Sequence, residues 1–345
     1  MDRELTVSLI LGGAAILIAA ALLSAVLIVL LRPLLARHAI VRPNERSSLT
    51  LPTPQGGGIA VIAAALGVSG ATLYFFPVGA TAAAQHLPVF VAVVFIAGVG
   101  VLADIHPENV ALRLLLQTLA VTAVIFVLPP GLRILPILPL AAERVVLVIG
   151  GLWFVNLVNF MDGLDWMTAA ETVPIAAALA VIGLLGTLPP VAVIVSLALC
   201  GAMIGFGYFN RPVAKLFLGD VGSLPVGLML GWLLVLLAGN GGRAAAILLP
   251  LYYLADSTIT LVRRARNGET IWRAHRSHFY QRATDRGFTV IDVVARVFAV
   301  NVVLATLAIS TVILRSRIID IAALGTGAVL VAGLLCTLSR GRITE

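Results

Sequence analysis

Long apolar segments, repeated along almost the whole chain, are the sequence feature that most restricts its fold. A membrane-spanning helix needs about 20 consecutive apolar residues, and eleven segments approach that length. Their approximate limits are 7–31, 57–77, 87–103, 111–129, 143–159, 170–187, 189–207, 222–239, 243–262, 290–313 and 319–337. Only 11% of the residues are charged, against about 25% in soluble proteins. We therefore expect an all-α polytopic membrane protein with about eleven transmembrane helices, forming a single domain over residues 1–345.

The positive charges are divided unevenly between the two sets of connections. If the helices alternate from an N-terminus outside the cell, one set holds seventeen of the 23 Lys and Arg residues and the other holds six. Cytoplasmic connections carry the excess of Lys and Arg, so we expect the N-terminus outside and the C-terminus in the cytoplasm. Topology and anion binding then account for the net charge of +7, and nucleic acid is not an expected partner.

The same assignment places five polar segments on the cytoplasmic face. They span residues 43–58, 104–113, 156–165, 210–223 and 263–286. The outer connections are short and carry no comparable cluster. Convergence of several polar loops on one face is what a cytoplasmic active site in a membrane enzyme requires.

The segment 156–165 reads N-L-V-N-F-M-D-G-L-D and spaces Asn156, Asn159, Asp162 and Asp165 three residues apart. Steps of three on a helix turn by about 60° each, so we expect all four on one flank of the fifth helix. A cap for the next helix explains Asp165 equally well, but not the two asparagines within the apolar stretch. Because polar groups in a membrane helix are costly without a function, the segment indicates a site that handles a metal and a phosphate.

The segment 210–223 places Asp220 between Gly219 and Gly222 at the start of a helix. Such a carboxylate can approach a phosphate through a bound metal and free backbone N–H groups. The alternative is a simple turn followed by Ser223 as the helix cap. The presence of the 156–165 segment favours the first interpretation.

Three further features complete the set. Segment 263–286 contains H-R-S-H-F-Y-Q-R, with His275, Arg276 and His278, and fits either a basic loop near anionic lipid or a diphosphate clamp; the clamp is favoured. The triple glycine at 56–58 allows either close approach of a ligand or close helix packing. Asp256 lies inside the ninth apolar run, where a functional role and pairing with a neighbouring helix are both open.

Taken together, these segments resemble the polyprenyl-phosphate N-acetylhexosamine-1-phosphate transferases, the glycosyltransferase family 4 enzymes that include the phospho-MurNAc-pentapeptide translocases. The resemblance extends over about residues 43–286, with the motifs in family order. R-S-S-x-x-x-P-T-P-x-G-G-G at 46–58 and H-R-S-H-F-Y-Q-R at 275–282 are typical of the branch that initiates O-antigen or related surface polysaccharides. Each motif alone is moderately specific, and the combination is highly specific.

The resemblance implies a phosphotransferase of the bacterial inner membrane, with its active site facing the cytoplasm. Such an enzyme transfers a sugar 1-phosphate from a UDP-N-acetylated sugar to undecaprenyl phosphate, releases UMP and begins a lipopolysaccharide or related glycan. It uses Mg²⁺, with Mn²⁺ as a substitute, and a homodimer is common among such enzymes.

Residue roles follow from the same resemblance. Asp104 matches the second Asp of a pair that acts on the lipid phosphate, and Asn210 and Phe217 match positions that hold the uracil ring. The implied catalytic residues are Asp104, Asp162, Asp165, His275 and His278. The implied substrate-binding residues are Asn156, Asn159, Asn210, Phe217, Arg276 and Arg46, and the implied metal ligands are Asp220 and Asp162.

Two positions depart from the family pattern. Ala103 replaces the first Asp of the pair, and Trp166 replaces a Gly that usually follows the last Asp of the 156–165 segment. The first departure leaves a catalytically diverged member, acting as an assembly partner, as an alternative. A protein that binds or transports the lipid carrier is a further alternative, but it should show an internal repeat and polar groups at mid-bilayer depth, and no repeat is visible.

Overall fold

The protein folds into a bundle of α-helices. The structure, a computed structural model, describes residues 3–41, 52–75, 80–105, 110–270 and 275–340. Within these ranges the helices are α1 Arg3–His38, α2 Gly58–Phe75, α3 Ala80–Ile105, α4 Val110–Val127, α5 Leu140–Met161, α6 Met167–Leu184, α7 Pro190–Gly207, α8 Asp220–Gly239, α9 Arg243–Leu248, α10 Leu251–Arg266, α11 Phe279–Asp285, α12 Val290–Leu314 and α13 Arg317–Arg340. The expected all-α membrane fold is confirmed.

Ten of the described helices are long and apolar enough to cross a membrane, and ten of the eleven apolar runs correspond to them. The ninth run differs because it is divided into α9 and α10, and neither part qualifies as a span. Pro250 stands at the break. It has no amide hydrogen to donate to the preceding turn, so an uninterrupted helix is disfavoured there.

The functional segments gather where α3 and α5 end and where α8 begins, which we call the site end of the bundle. α8 is the central helix, with most of its side chains buried. It runs away from the site end, and α9 and α10 together return the chain to it. Contacts between α10 and the start of α11 lie beside the end of α5. The five polar segments predicted to converge therefore lie at one end of the bundle, as far as they are described.

Two glycines allow α2 and α3 to approach the first turn of α8. A Cβ at Gly58 would lie 2.2 Å from the Cα of Gly222, and a Cβ at Gly100 would lie 2.4 Å from the carbonyl oxygen of Asp220. Neither position can hold a larger residue without displacing the α8 backbone. For the last residue of the triple glycine, close helix packing is thus the reason, rather than contact with a ligand.

A short antiparallel pair joins the 53–58 segment to the site end. β1 (Ile40–Val41) pairs with β2 (Thr53–Pro54), and Gln55 then bridges to Phe217. The Gly57 N–H donates to the carbonyl oxygen of Phe217 at 2.8 Å. These bonds hold the 53–58 and 210–223 segments side by side.

The fifth helix is shorter than its polar spacing predicts. It ends at Met161, with Asp162 as its C-cap residue, so Asp162 and Asp165 lie in the following turn. The prediction of four residues along one helical flank is wrong for these two. The turn brings their carboxylates back towards α8 instead.

Candidate active site

One polar cavity of about 260 Å³ lies at the site end. Its lining combines four carboxylates with amide, aromatic and backbone groups from distant parts of the chain. The lining residues are Val41, Gln55, Asp104, Asn159, Asp162, Gly163, Leu164, Asp165, Asn210, Phe217, Leu218, Gly219, Asp220, Gln281 and Val290. Seven of the residues predicted for the site are therefore brought together: Asp104, Asn159, Asp162, Asp165, Asn210, Phe217 and Asp220.

Asp104 caps the first turn of α8 from another helix. Its Oδ1 accepts the Asp220 N–H at 2.9 Å, and its Oδ2 accepts the Val221 N–H at 3.1 Å. A carboxylate is the favoured partner for free N–H groups at a helix start. The alternative in which Ser223 caps this helix is wrong, because the helix already begins at Asp220. Asp104 thus fixes the backbone that carries Asp220.

The Asp220 side chain is held between an amide and a guanidinium. Asn159 Nδ2 donates to Asp220 Oδ1 at 2.7 Å and to Ser223 Oγ at 2.8 Å. On the other side, Arg113 Nη1 forms an ion pair with Asp220 Oδ2 at 3.3 Å. Because both contacts come from other helices, they set the direction of the carboxylate towards the cavity.

The turn after α5 contributes two more carboxylates. Asp162 accepts a hydrogen bond from the Thr168 hydroxyl, and Asp165 Oδ2 accepts the Ala214 N–H at 2.9 Å. The pKa of Asp162 is raised to about 7, mainly by burial; the Thr168 hydrogen bond opposes this rise, and the neighbouring carboxylates, first of all Asp220, add to it. Burial also raises the pKa of Asp165. A bound cation would relieve this accumulation of negative charge.

Asn210 and Phe217 border the cavity in different ways. Asn210 Oδ1 accepts the Trp166 N–H at 2.7 Å, and its Nδ2 donates to the Leu216 carbonyl at 2.9 Å. The Asn210 amide therefore links the turn after α5 to the loop that precedes α8. Trp166 has φ 64, a left-handed conformation that is uncommon for a bulky residue, and Asn210 supports it. Phe217 leaves an aromatic side chain at the cavity wall.

The loop with the two histidines packs behind the cavity, and among its described residues Gln281 alone lines the cavity. His278 is buried and lies 3.2 Å from Asp256, and His275 stacks on it with ring centroids 4.8 Å apart. The Tyr280 hydroxyl donates to the Phe160 carbonyl at 3.0 Å. The loop is thus held against the end of α5, although neither histidine lines the cavity.

Two other predicted residues, Asn156 and Arg276, do not line the cavity. Asn156 lies one helical turn deeper than Asn159, is buried, and donates to Gln117 and to the Leu152 carbonyl, both at 2.8 Å. Arg276 forms an ion pair with Asp285 at 3.1 Å. Arg46 lies outside the described residues, and so do His106, Glu108 and Arg273, which belong to the polar segments 104–113 and 263–286.

Three polar residues of the site escaped the sequence interpretation. Gln55 donates to the Asp104 carbonyl at 3.2 Å and lines the cavity. Gln281 also lines the cavity, and Arg113 pairs with Asp220. A signal existed for each. Gln55 precedes the triple glycine, Gln281 belongs to the histidine motif, and Arg113 is a charge in the first turn of an apolar helix.

The donor set of the cavity suits Mg²⁺. Within the described ranges, no three His, Cys, Asp or Glu side chains are grouped closely enough to enclose a metal ion by themselves. Mg²⁺ does not need such a cage, because it usually takes one or two carboxylates and completes its shell with water and substrate phosphates. Asp220 and Asp162 are oxygen donors of that kind, in a cavity with an excess of carboxylates.

Comparison with known proteins shows which family the chain resembles. Residues 86–238 match the family described as glycosyl transferase family 4. The chain is 28% identical over 332 residues to the decaprenyl-phosphate N-acetylglucosaminephosphotransferase of Mycobacterium tuberculosis, covering 86% of this chain and 80% of that protein. It is 26% identical over 322 residues to a probable undecaprenyl-phosphate N-acetylglucosaminyl 1-phosphate transferase of Bacillus subtilis, covering 88% and 86%.

A third relative has higher identity over a shorter stretch. It is the phospho-N-acetylmuramoyl-pentapeptide-transferase of Rhodopseudomonas palustris, 33% identical over 179 residues, which are 46% of this chain and 48% of that protein. The family match falls on the helices that build the carboxylate cavity, α3 to α8. Over residues 86–238 the chain is therefore similar to glycosyl transferase family 4.

Proposed function

We propose that this protein transfers an N-acetylhexosamine 1-phosphate from its UDP-activated form to undecaprenyl phosphate, releasing UMP. The general class, a polyprenyl-phosphate sugar-1-phosphate transferase, is that named for its relatives. The observation that carries the proposal is the single cavity in which Asp104, Asn159, Asp162, Asp165 and Asp220 meet.

The reaction is a phosphoryl transfer. An oxygen of the lipid phosphate attacks the β-phosphorus of the UDP-sugar, and the bond from that phosphorus to the UMP oxygen breaks. Phosphoryl transfer needs positioning and charge neutralisation more than covalent help from the protein. The second pKa of a phosphate monoester is about 6, so the acceptor is largely ionised at neutral pH and a strong base is unnecessary. This agrees with Asp104 serving as a helix cap.

Each polar residue then has a defined task. Asp220 and Asp162 hold Mg²⁺, while Asn159 and Asp104 fix the direction of Asp220. Mg²⁺ held by these residues would supply charge neutralisation for the diphosphate and for the leaving UMP. Phe217 provides an aromatic wall for the uracil ring, and Arg113 faces the lipid phosphate.

Arg113 is suited to that task by its place on α4. Leu112 and Leu114 beside it are exposed side chains on a helix of membrane-spanning length, while the Arg113 guanidinium reaches Asp220. The residue thus stands between the lipid-facing surface and the carboxylates. An acceptor whose tail stays in the bilayer would present its phosphate at such a boundary.

The distribution of Lys and Arg supports a site that faces the cytoplasm of a bacterial inner membrane, where UDP-sugars are available. The motifs at 46–58 and 275–282 support a role in the first step of O-antigen or related glycan synthesis. Ala103, in place of the first Asp of the family pair, keeps a second candidate open, a catalytically diverged relative that acts as an assembly partner.

A donor screen tests the proposal. Purified protein is incubated with undecaprenyl phosphate, Mg²⁺ and UDP-N-acetylglucosamine, UDP-N-acetylfucosamine or UDP-N-acetylquinovosamine, and released UMP and labelled lipid are measured. We expect equal amounts of UMP and lipid-linked sugar with one of these donors, and neither product without the lipid. Absence of both products with every donor would favour the assembly-partner alternative.

A further inference from the structure

Asp256 is a fully buried carboxylate on α10 that lies outside the cavity and has no task in the proposed reaction. Its two oxygens accept hydrogen bonds from side chains one helical turn before and one turn after it on α10, and from residues of the histidine loop. The partners are Tyr252 OH (3.2 Å), Thr260 Oγ1 (3.3 Å), His278 Nδ1 (3.2 Å), Phe279 N (3.0 Å) and Tyr280 N (3.3 Å). Three of the five come from the start of α11, so Asp256 holds that helix in place.

These bonds define the hydrogen position on the His278 ring. Backbone N–H groups and hydroxyls already donate to Asp256, so the carboxylate acts as an acceptor and His278 Nδ1 carries the hydrogen. A neutral imidazole with its hydrogen on Nδ1 has a free lone pair on Nε2. His278 Nε2 is buried and has no hydrogen-bond partner among the described residues.

The His278 ring also belongs to a column that leads to the active-site turn. His275 stacks on His278 at 4.8 Å, and His278 stacks on Tyr280 at 5.8 Å between ring centroids. The Tyr280 hydroxyl then bonds to Phe160, two residues before Asp162. His275 is partly exposed, whereas the other two rings are buried. The column therefore connects the loop surface to the turn that carries two of the carboxylates.

We propose that Asp256 is a positioning residue for donor binding, acting through His278. It fixes the tautomer and direction of that ring, and the stacking of His278 on Tyr280 transmits this position to the turn whose Asp162 and Asp165 line the cavity. The inference rests on the proposed function and assigns Asp256 a role beyond capping α11.

The first test separates this role from helix capping. In Asp256→Asn, the amide nitrogen that replaces one oxygen cannot accept hydrogen bonds, so the tautomer is no longer enforced. We expect the KM for the UDP-sugar to rise roughly 10- to 100-fold, as for other residues that orient a functional imidazole, with the KM for undecaprenyl phosphate unchanged. Asp292→Asn is the matched control, since Asp292 likewise accepts a backbone N–H at the start of a helix, that of Thr289 at 3.1 Å on α12.

A double-mutant cycle tests the dependence on His278. If Asp256 acts through that ring, Asp256→Asn changes the donor KM less than about 3-fold when His278→Gln is already present. An undiminished effect in the His278→Gln background would overturn the proposal, and so would an effect of Asp292→Asn as large as that of Asp256→Asn.

Nitrogen NMR of the unmodified protein provides a measurement that needs no folded variant of Asp256. The chain has five histidines, and loss of one set of ring signals in His278→Gln assigns His278. We expect a hydrogen on Nδ1 and none on Nε2 in the neutral ring. A hydrogen on Nε2 instead would contradict the proposal. The donor screen fails separately, by showing no UMP from the unmodified protein, and the ring signals can be read in either case.

Discussion

Carboxylates lie at both ends of the bundle, fully buried at one end and half-buried at the other, and the two ends differ in how those charges are balanced. At the far end, Glu143 is fully buried near the start of α5. It accepts bonds from Arg133 Nε, from the Ile134 N–H at 2.6 Å and from the Leu135 N–H at 3.0 Å. One carboxylate therefore meets one guanidinium and two amide donors, and its charge is balanced.

At the site end, four carboxylates line one cavity, and Arg113 is the cation that forms an ion pair with them among the described residues. Negative charge is in excess there. A structural carboxylate in a membrane protein is paired, because an unpaired buried charge is costly. The comparison indicates that the far-end carboxylate stabilises the fold, whereas the carboxylates at the site end are suited to the proposed Mg²⁺.

The largest effect is expected from Asp220→Asn. Removing one carboxylate leaves the cavity fold intact, since the amide can still contact Asn159, but it removes a proposed metal ligand. We expect turnover, measured as UMP release, to fall by at least about 100- to 1000-fold, the usual loss for a group that stabilises transition-state charge. Unchanged yield of folded protein in detergent is the control. Full activity would remove the metal assignment.

Glu143→Gln should lower the stability of the protein and leave its activity almost unchanged. Arg133 would lose its charged partner, so we expect the free energy of unfolding to fall by on the order of 2 kcal/mol, because Arg133 is partly exposed and water replaces some of the interaction. Activity per folded molecule should stay within about 2-fold of the unmodified protein. Thermal unfolding in detergent, combined with the UMP assay, separates the two quantities. A selective loss of activity would break the distinction between the two ends.

The effect of Mg²⁺ on stability should depend on pH through Asp162. In the folded protein the pKa of Asp162 is raised to about 7. Protonated Asp162 therefore stabilises the fold fully at pH values below the ordinary Asp pKa, and this stabilisation is lost as pH rises through 7. Metal binding requires the ionised form, so the gain in melting temperature from Mg²⁺ should grow between pH 5.5 and 8. Apparent affinity should change up to about 10-fold per pH unit below 7. In Asp162→Asn this dependence should disappear.

A smaller effect is expected from Arg113→Gln. Hydrogen bonds to charged groups contribute about 1.5–3 kcal/mol, so losing the guanidinium should raise the KM for undecaprenyl phosphate roughly 10-fold and change the KM for the UDP-sugar little. Arg296→Gln is the control, because Arg296 lies on α12, 3.6 Å from Asp292, away from the cavity lining. Equal increases in the KM for both substrates would indicate that Arg113 only orients Asp220.

The order and number of membrane segments could be predicted well from the sequence. The length of an apolar run is a local property, and ten of the eleven predicted runs correspond to the ten spans among the described residues. The break near Pro250 could not be located, because prolines at 33, 88, 174 and 225 lie inside unbroken helices. Whether a proline interrupts a helix depends on its neighbours in space, which spacing does not reveal.

The membership of the site was predicted in part. Their spacing placed Asn156 and Asn159 in one group. Asn159 lines the cavity, whereas Asn156, one helical turn deeper, is buried against neighbouring helices. Ser223 was a reasonable local cap for α8, yet Asp104 caps that helix from a distant segment. Capping across elements is tertiary information, and the same holds for Asp256, for which the sequence left pairing and function open.

The most direct test of the excess negative charge is Mn²⁺ binding, followed by electron paramagnetic resonance, in the unmodified protein, Asp220→Asn and Glu143→Gln with UMP present. The account predicts one bound Mn²⁺ per chain in the unmodified protein and in Glu143→Gln, and none in Asp220→Asn at the same concentration. Equal Mn²⁺ binding by Asp220→Asn and the unmodified protein would contradict it.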